Sequence, residues 1–223
     1  AVVNPVDILR KLLLQFISMG GSIKFNQDIE LKFLQGEISI KTGNEQLDAK
    51  YIINAAGAQS DLIARKIGVG KDYLVIPFRG NYRKSHLKSQ FRGLVYPVPH
   101  EVNPFLGVHT TLTPDGFLKI GPTAMPAFGR ENYKGLQGIA ISELPRIIHA
   151  MTRMTKGTKH DLLEIIRMEL PLLFEKQMIK KVEKLLNEDL QDYKWTKSRS
   201  GIRSQLVNIR TGDLVQDFVV EKK

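Results

Sequence analysis

Four short stretches of this chain carry residues that could do chemistry on a small anion. Gly201-Ile202-Arg203 follows Lys197-Ser198-Arg199-Ser200. A guanidinium on a strand just after a glycine suits two-pronged capture of a carboxylate, and the same letters suit a surface strand arginine. Arg79-Gly80-Asn81-Tyr82 stands behind Pro77. Its glycine permits close approach and its Arg and Tyr are donors to an anion, or all three form the rim of a basic patch. His109 lies in an apolar strand, either as a hydrogen-bonded core residue or as a neutral imidazole able to take a proton. Asn54-Ala55-Ala56-Gly57 closes the apolar run Tyr51-Ile52-Ile53. Small residues there let a ligand or another backbone come close, and the start of the following helix presents N–H groups to phosphate. A tight strand-to-helix turn that binds nothing reads the same way.

These residues need elements to hold them. Leu94 to Pro122 contains five of the chain's ten prolines, three glycines and only three charged residues. The prolines alternate with Val, Tyr, Phe, Leu and Ile, so the segment reads as apolar strands with rigid corners, the wall of a pocket around His109. Pro114-Asp115-Gly116 is a turn joining two of its strands. Upstream, Asn4-Pro5-Val6-Asp7 is a helix start, and Ile8, Leu9, Leu12, Leu13, Phe16 and Ile17 recur at helical spacing until Gly20-Gly21. Short strands are expected over 22–26, 29–34, 37–41 and 51–53, with a turn at Thr42-Gly43-Asn44-Glu45 and a helix from Ser60 to Ile67. The stretch 73–122 is strand-rich. Helices are expected over 143–155, 161–170 and from Pro171 to about Leu190, with strands returning over 201–207 and 214–220.

Composition narrows the function classes. Apolar residues make up 42% and charged residues 25%, as in an ordinary globular protein. No apolar run of ~18 residues marks a membrane span. The chain has no cysteine, which excludes disulfides, thiol catalysis and cysteine-ligated metals. His86, His100, His149 and His160 lack ligand spacing, so no metal site is expected. The net charge is +10, with five Lys/Arg and no acid from Arg79 to Arg92, and four more and no acid from Leu144 to His160. Such patches are solvated faces, or they attract an anionic substrate, an acidic membrane or nucleic acid. No nucleic-acid-binding motif accompanies them, so nucleic acid is not expected as a partner. No G-x-G-x-x-G or P-loop occurs either.

In order, the motifs NAAG, IPFRGNY, LVYPVP with NPFLGVHTTLTPDG and IGP, and GIRSQ resemble the FAD-dependent L-2-hydroxyglutarate dehydrogenases and oxidases of the D-amino-acid-oxidase-like superfamily. The likeness runs from about residue 1 to residue 220, and its YPVP…PFLGVH block is the specific part. It implies an α+β fold: a mostly antiparallel sheet over about 70–135, covered by helices from 140–190, with flavin-binding segments at both ends. The implied division is 1–70 for part of the FAD-binding domain, 71–198 for the substrate-binding domain and 199–223 for a return to the FAD-binding domain. Asn54, Ala55, Ala56, Gly57 and Gly201 are implied to lie against FAD. Arg203, Arg79 and Tyr82 are implied to bind the substrate, and His109 to act as the catalytic base.

The implied activity is oxidation of a 2-hydroxy acid, L-2-hydroxyglutarate to 2-oxoglutarate, with oxygen or a quinone as electron acceptor. An amine or amino-acid oxidase of the same superfamily is a second reading, and a non-catalytic basic module that binds anions or membrane a third. The expected setting is cytoplasmic, with peripheral contact at the inner membrane. Arg83 follows Tyr82 where the family usually carries an aromatic or small residue. The Gly-rich fingerprint and the closing flavin segment are missing, so the chain reads as an internal fragment that does not hold FAD tightly by itself.

Overall fold

The computed structural model describes residues 2–34, 37–43, 45–98, 100, 103–157, 159, 161–217 and 219–221. Asn44, Pro99, His160 and Phe218, which enter the readings above, lie outside them. The first helix, α1 (Pro5–Ser18), begins as its letters dictate. The Asn4 side chain accepts the Val6 N–H at 3.1 Å, and Pro5 fills the first helical position, where a missing N–H costs nothing. Gly20, at φ 88°, lies just past its end. None of its residues is buried, so its apolar side chains stay uncovered by the described residues.

The strands β1 (Ile29–Leu34), β2 (Glu37–Thr42) and β3 (Glu45–Ala49) form an antiparallel meander. β3 reads EQLDA, which carries little strand propensity of its own, and it exists through pairing with β2. Four expected strands are absent: residues 22–26, 51–53, 93–98 and 214–217 form no regular strand, the last keeping only a Val207–Leu214 bridge. A strand needs a partner to satisfy its N–H and C=O groups. Tyr51 and Ile53 are 87% and 90% exposed, and no described strand lies beside them. In 93–98 Pro97 interrupts any ladder, and Val95 turns its N–H to the Thr110 hydroxyl and its C=O to the Thr110 N–H.

The second sheet is the framework of the molecule. It contains β4 (Tyr73–Lys88), β5 (His109–Leu112), β6 (Phe117–Gly121), β7 (Met125–Pro126) and β8 (Trp195–Asn208), all paired antiparallel. β4 is its centre. It carries β8 along one edge and β6 and β7 along the other. Pro77 sits inside β4 without breaking it, opposite Ser204, and its carbonyl accepts the Ala127 N–H at 2.9 Å. β5 and β6 form the hairpin expected at Pro114-Asp115-Gly116.

Helices α2 (Ser60–Lys66), α3 (Leu144–Met154), α4 (Leu162–Glu169) and α5 (Glu175–Leu186) complete the fold. Asp161 caps α4 by accepting the Leu163 N–H at 2.8 Å. A short 3₁₀ turn, Leu170–Leu173, separates α4 from α5 at Pro171. Two cores result. Leu74, Ile76 and Phe78 of β4 pack with Ala150 and Met154 of α3 and with Leu162 and Ile165 of α4. Leu118 and Ile120 of β6 pack with Met178 and Val182 of α5. The arrangement is α+β, an antiparallel sheet backed by the helices of 144–186, as the sequence led one to expect.

Candidate active site

His109 opens β5, and its register partner is Gly121, the last residue of β6. Gly121 has φ 128°, and a Cβ there would lie 2.6 Å from the Asn81 carbonyl oxygen and 2.9 Å from Tyr82 Cδ1. Only glycine lets the Tyr82 ring settle against the end of β6, beside the histidine strand. Lys119 Nζ stands 3.8 Å from the Tyr82 ring centroid, and the Tyr96 ring lies 4.5 Å from the imidazole.

Arg203 joins this group from β8. It pairs with Phe78, and its guanidinium carbon sits 5.7 Å from the centre of the Phe105 ring, which packs 4.6 Å from Phe78. Phe105 is itself held in place. Asn103 Oδ1 accepts the Phe105 N–H at 3.0 Å, and Asn103 Nδ2 donates to the buried Glu169 carboxylate at 2.9 Å. Glu169 also accepts the Ala124 N–H at 2.7 Å, so one carboxylate ties α4 to the loops on both sides of the hairpin.

The protonation states follow from this packing. His109 is 8% exposed, and burial pushes its pKa below the usual 6.5. The Gly107 carbonyl acts against that shift, and the Arg203 charge adds to it. A carbonyl can only accept, so the 2.8 Å contact fixes the proton on Nδ1 and leaves the Nε2 lone pair to take another. Burial raises the Tyr82 pKa above 10.0, opposed by Arg203, so its phenol stays a donor at neutral pH. Burial, and then the nearby Lys84 charge, lower the Lys119 pKa. The group therefore contains a neutral base, a phenol donor and a fixed cation.

The turn at 54–57 leads onto the same sheet. Asn54 Oδ1 accepts the Ala56 N–H at 3.3 Å, and Asn54 Nδ2 donates to the Ser60 carbonyl at 2.8 Å. Gly57 takes φ 52° and starts a 3₁₀ turn, Gly57–Gln59, that touches both β4 and β8. Arg130 anchors it. Its Nη1 donates to the Ala58 carbonyl and to Asp61 Oδ1, its Nη2 to Asp61 Oδ2 at 2.9 Å, and its Nε to Glu143 at 2.8 Å. Asp61 Oδ2 also accepts the Val75 N–H of β4 at 3.1 Å.

Sequence reasoning had no purchase on Arg130, Asp61 or Glu169. Each sits in an unremarkable stretch, and what marks them is burial beside a partner 45 to 72 residues away. Asn103 offered a faint signal, since Asn before Pro-Phe suits a side-chain-to-backbone turn. Arg79 is placed apart from Arg203. It pairs with Ile202, one step along from Phe78–Arg203, and consecutive strand residues project to opposite faces. Arg79 instead lines a cavity of about 680 Å³ that Tyr82 also borders but Arg203 and His109 do not.

A Cβ on Gly57 or on Gly201 would meet nothing within 4 Å, so both backbones border open space. Gly201 precedes Arg203 by two residues and shares its face. A family model described as FAD dependent oxidoreductase (DAO) matches residues 1–215, and the chain belongs to that family. It is 30% identical to the mitochondrial L-2-hydroxyglutarate dehydrogenase of Homo sapiens over 92% of this chain and 47% of that protein. It is 31% identical to the L-2-hydroxyglutarate dehydrogenase of Indibacter alkaliphilus over 99% of this chain and 55% of that protein. The chain thus spans about half the length of the curated relatives it matches. In fold it is similar to a dithionite-reduced L-α-glycerophosphate oxidase from Mycoplasma pneumoniae with FAD bound. The TM-score is 0.52 at 20% identity, over 91% of this chain and 44% of the other.

Proposed function

We propose that these residues supply the substrate-binding part of an FAD-dependent oxidoreductase that oxidises a small 2-hydroxy acid, L-2-hydroxyglutarate, to the 2-oxo acid. The observation that carries the reading is the buried, neutral His109 beside Tyr82 and within the field of Arg203. A hydroxy acid needs its carboxylate held and its hydroxyl proton removed. Arg203 holds the carboxylate, with its guanidinium braced on Phe105. Tyr82 donates to the same anion. His109 Nε2 takes the hydroxyl proton, and the Gly107 carbonyl steadies the opposite ring nitrogen of the imidazolium that forms. FAD, when bound, would accept the hydride from the α-carbon. The turn Asn54-Ala55-Ala56-Gly57 and the open backbone at Gly201 would lie against it.

In this reading residues 1–70 contribute part of the FAD-binding layer, 71–198 form the substrate-binding domain and 199–223 return to the flavin. The last division falls inside β8, a single strand paired along β4. Oxygen or a quinone takes the electrons onward. The basic 79–92 surface favours peripheral contact with an acidic membrane on the cytoplasmic side, and no described helix is long and apolar enough to cross a membrane. The test is substrate choice by the full-length flavoprotein. Flavin bleaching by L-2-hydroxyglutarate, but not by glycine, proline or the D-isomer, is the expected result. Faster reduction by an amino acid would overturn the proposal in favour of an amine-oxidising relative.

A further inference from the structure

The pairing of β4 with β8 contains a bulge. Gly80 pairs with Gly201 and Tyr82 with Ser198, so Asn81 alone faces Arg199 and Ser200. The extra residue changes which way the β8 side chains point. Gly201 and Arg203 share the face of Phe78 and Tyr82. Beyond the bulge, Lys197 pairs with Arg83 on the other face, and Arg199 and Ser200 join Asn81 there. The Ser200 hydroxyl accordingly donates to Asn81 Oδ1 at 3.0 Å. One register irregularity thus gathers cations on the face turned away from Arg203.

The cations of that face line the cavity of about 680 Å³, the size of a small-molecule site. Arg79, Arg83, Lys134, Lys197 and Arg199 line it, Tyr82 reaches its edge, and no acid among the described residues does. Leu173 and Met178 give it one apolar wall. Glu175, just outside the lining, pairs with Arg83 at 2.8 Å and offsets one charge. Arg79 is weakly held. Its Nη1 reaches Asn132 Oδ1 and the Gly135 carbonyl only at 3.4 Å, and its Nε is buried with no partner among the described residues. A buried guanidinium donor left open costs energy unless a ligand meets it.

We infer that this cavity is a second anion site, bordering the Arg203 site at Tyr82 but lined by neither Arg203 nor His109, that takes a small, multiply charged anion carrying phosphoryl or carboxylate groups. Several cations on rigid strands, with no acid in the lining, suit two or more negative charges, and the forked guanidinium of Arg79 suits the paired oxygens of phosphate or carboxylate.

The experiment is calorimetric titration of the full-length protein at low salt with inorganic pyrophosphate and, separately, with citrate. The expected result is saturable binding of at least one, weakened at least tenfold in the Lys197→Gln/Arg199→Gln double variant and in Arg79→Gln, and little changed in Arg203→Lys. Binding of pyrophosphate alone assigns a phosphorylated ligand, and binding of citrate alone a polycarboxylate. The Lys197→Gln/Arg199→Gln pair changes two exposed side chains, so it tests the site even where Arg79→Gln fails to fold. No saturable binding of either anion, unchanged binding in the double variant, or an equal loss in Arg203→Lys would each overturn the inference. Because the readout is binding, none of these outcomes depends on which substrate the flavoprotein turns over.

Discussion

Replacing Arg130 with Met is expected to be among the most damaging single changes in this fold. The guanidinium side chain is 2% exposed, as is that of Asp61, and it meets both oxygens of that carboxylate at 2.5 and 2.9 Å. It also holds Glu143 and the Ala58 carbonyl. Methionine fills a similar volume, so loss of packing is small. The cost comes from what stays behind: an Asp61 carboxylate whose remaining described partner is the Val75 N–H, with Glu143 nearby. Stranding one partner of a buried ion pair costs about 3–5 kcal/mol. At about 2–4 °C per kcal/mol for a chain of this size, the melting point should fall on the order of 10 °C. Urea unfolding followed by circular dichroism measures the cost directly. The Arg130→Met/Asp61→Asn double variant should recover part of the loss, because it removes the stranded charge. A loss under about 1 kcal/mol in Arg130→Met, or no recovery in the double variant, would show that the network does not hold the 57–61 turn against β4.

Other expectations follow from the same geometry. His109→Asn should lower the rate of flavin reduction about 10²–10⁴-fold while leaving the fold intact, and stopped-flow absorbance reads it. Because burial depresses the His109 pKa, the unfolded chain binds a proton at 6.5 that the folded one refuses. Stability should therefore fall as pH drops below 6.5 toward the folded value, stay flat above it, and lose that slope in His109→Asn, as urea midpoints across pH would show. Gly121→Ala should cost more than about 1 kcal/mol, since it forces a Cβ to 2.6 Å from the Asn81 carbonyl at φ 128°. Lys119→Met should raise the KM for a dicarboxylate several-fold more than for a monocarboxylate, because Lys119 is the cation beside Tyr82.

Local signals in the chain were strong where local chemistry decides. Asn4-Pro5 set the start of α1, Asp161 capped α4, and Pro114-Asp115-Gly116 turned β5 into β6. They misled where a partner decides. Tyr51-Ile52-Ile53 has the composition of a strand but finds no neighbour among the described residues, whereas the weak EQLDA segment becomes β3 because β2 lies alongside. The candidate site divides the same way. His109, Tyr82 and Arg203 are nameable from motif letters, and the structure groups them. Arg130 and Glu169 are not nameable, since a buried carboxylate or guanidinium is defined by contacts far along the chain.

Arg79 shows where motif letters run out. In the sequence it stands three residues from Tyr82 in a basic stretch, so one anion site containing Arg79, Tyr82 and Arg203 looked natural. Strand geometry sets Arg79 apart from Arg203, while Tyr82 borders the Arg79 cavity. Arg203 pairs with Phe78, and the next residue of β4 must point the other way. A second carboxylate on the Arg203 face therefore cannot be met by Arg79, and the cation within reach there is Lys119, which shares that face with Tyr82. The bulge opposite Asn81 completes the separation by turning Arg199 toward Arg79. A single unpaired residue in β8 thus divides a basic sheet into a face with one braced arginine beside a neutral base and a face with a cluster of cations around a cavity.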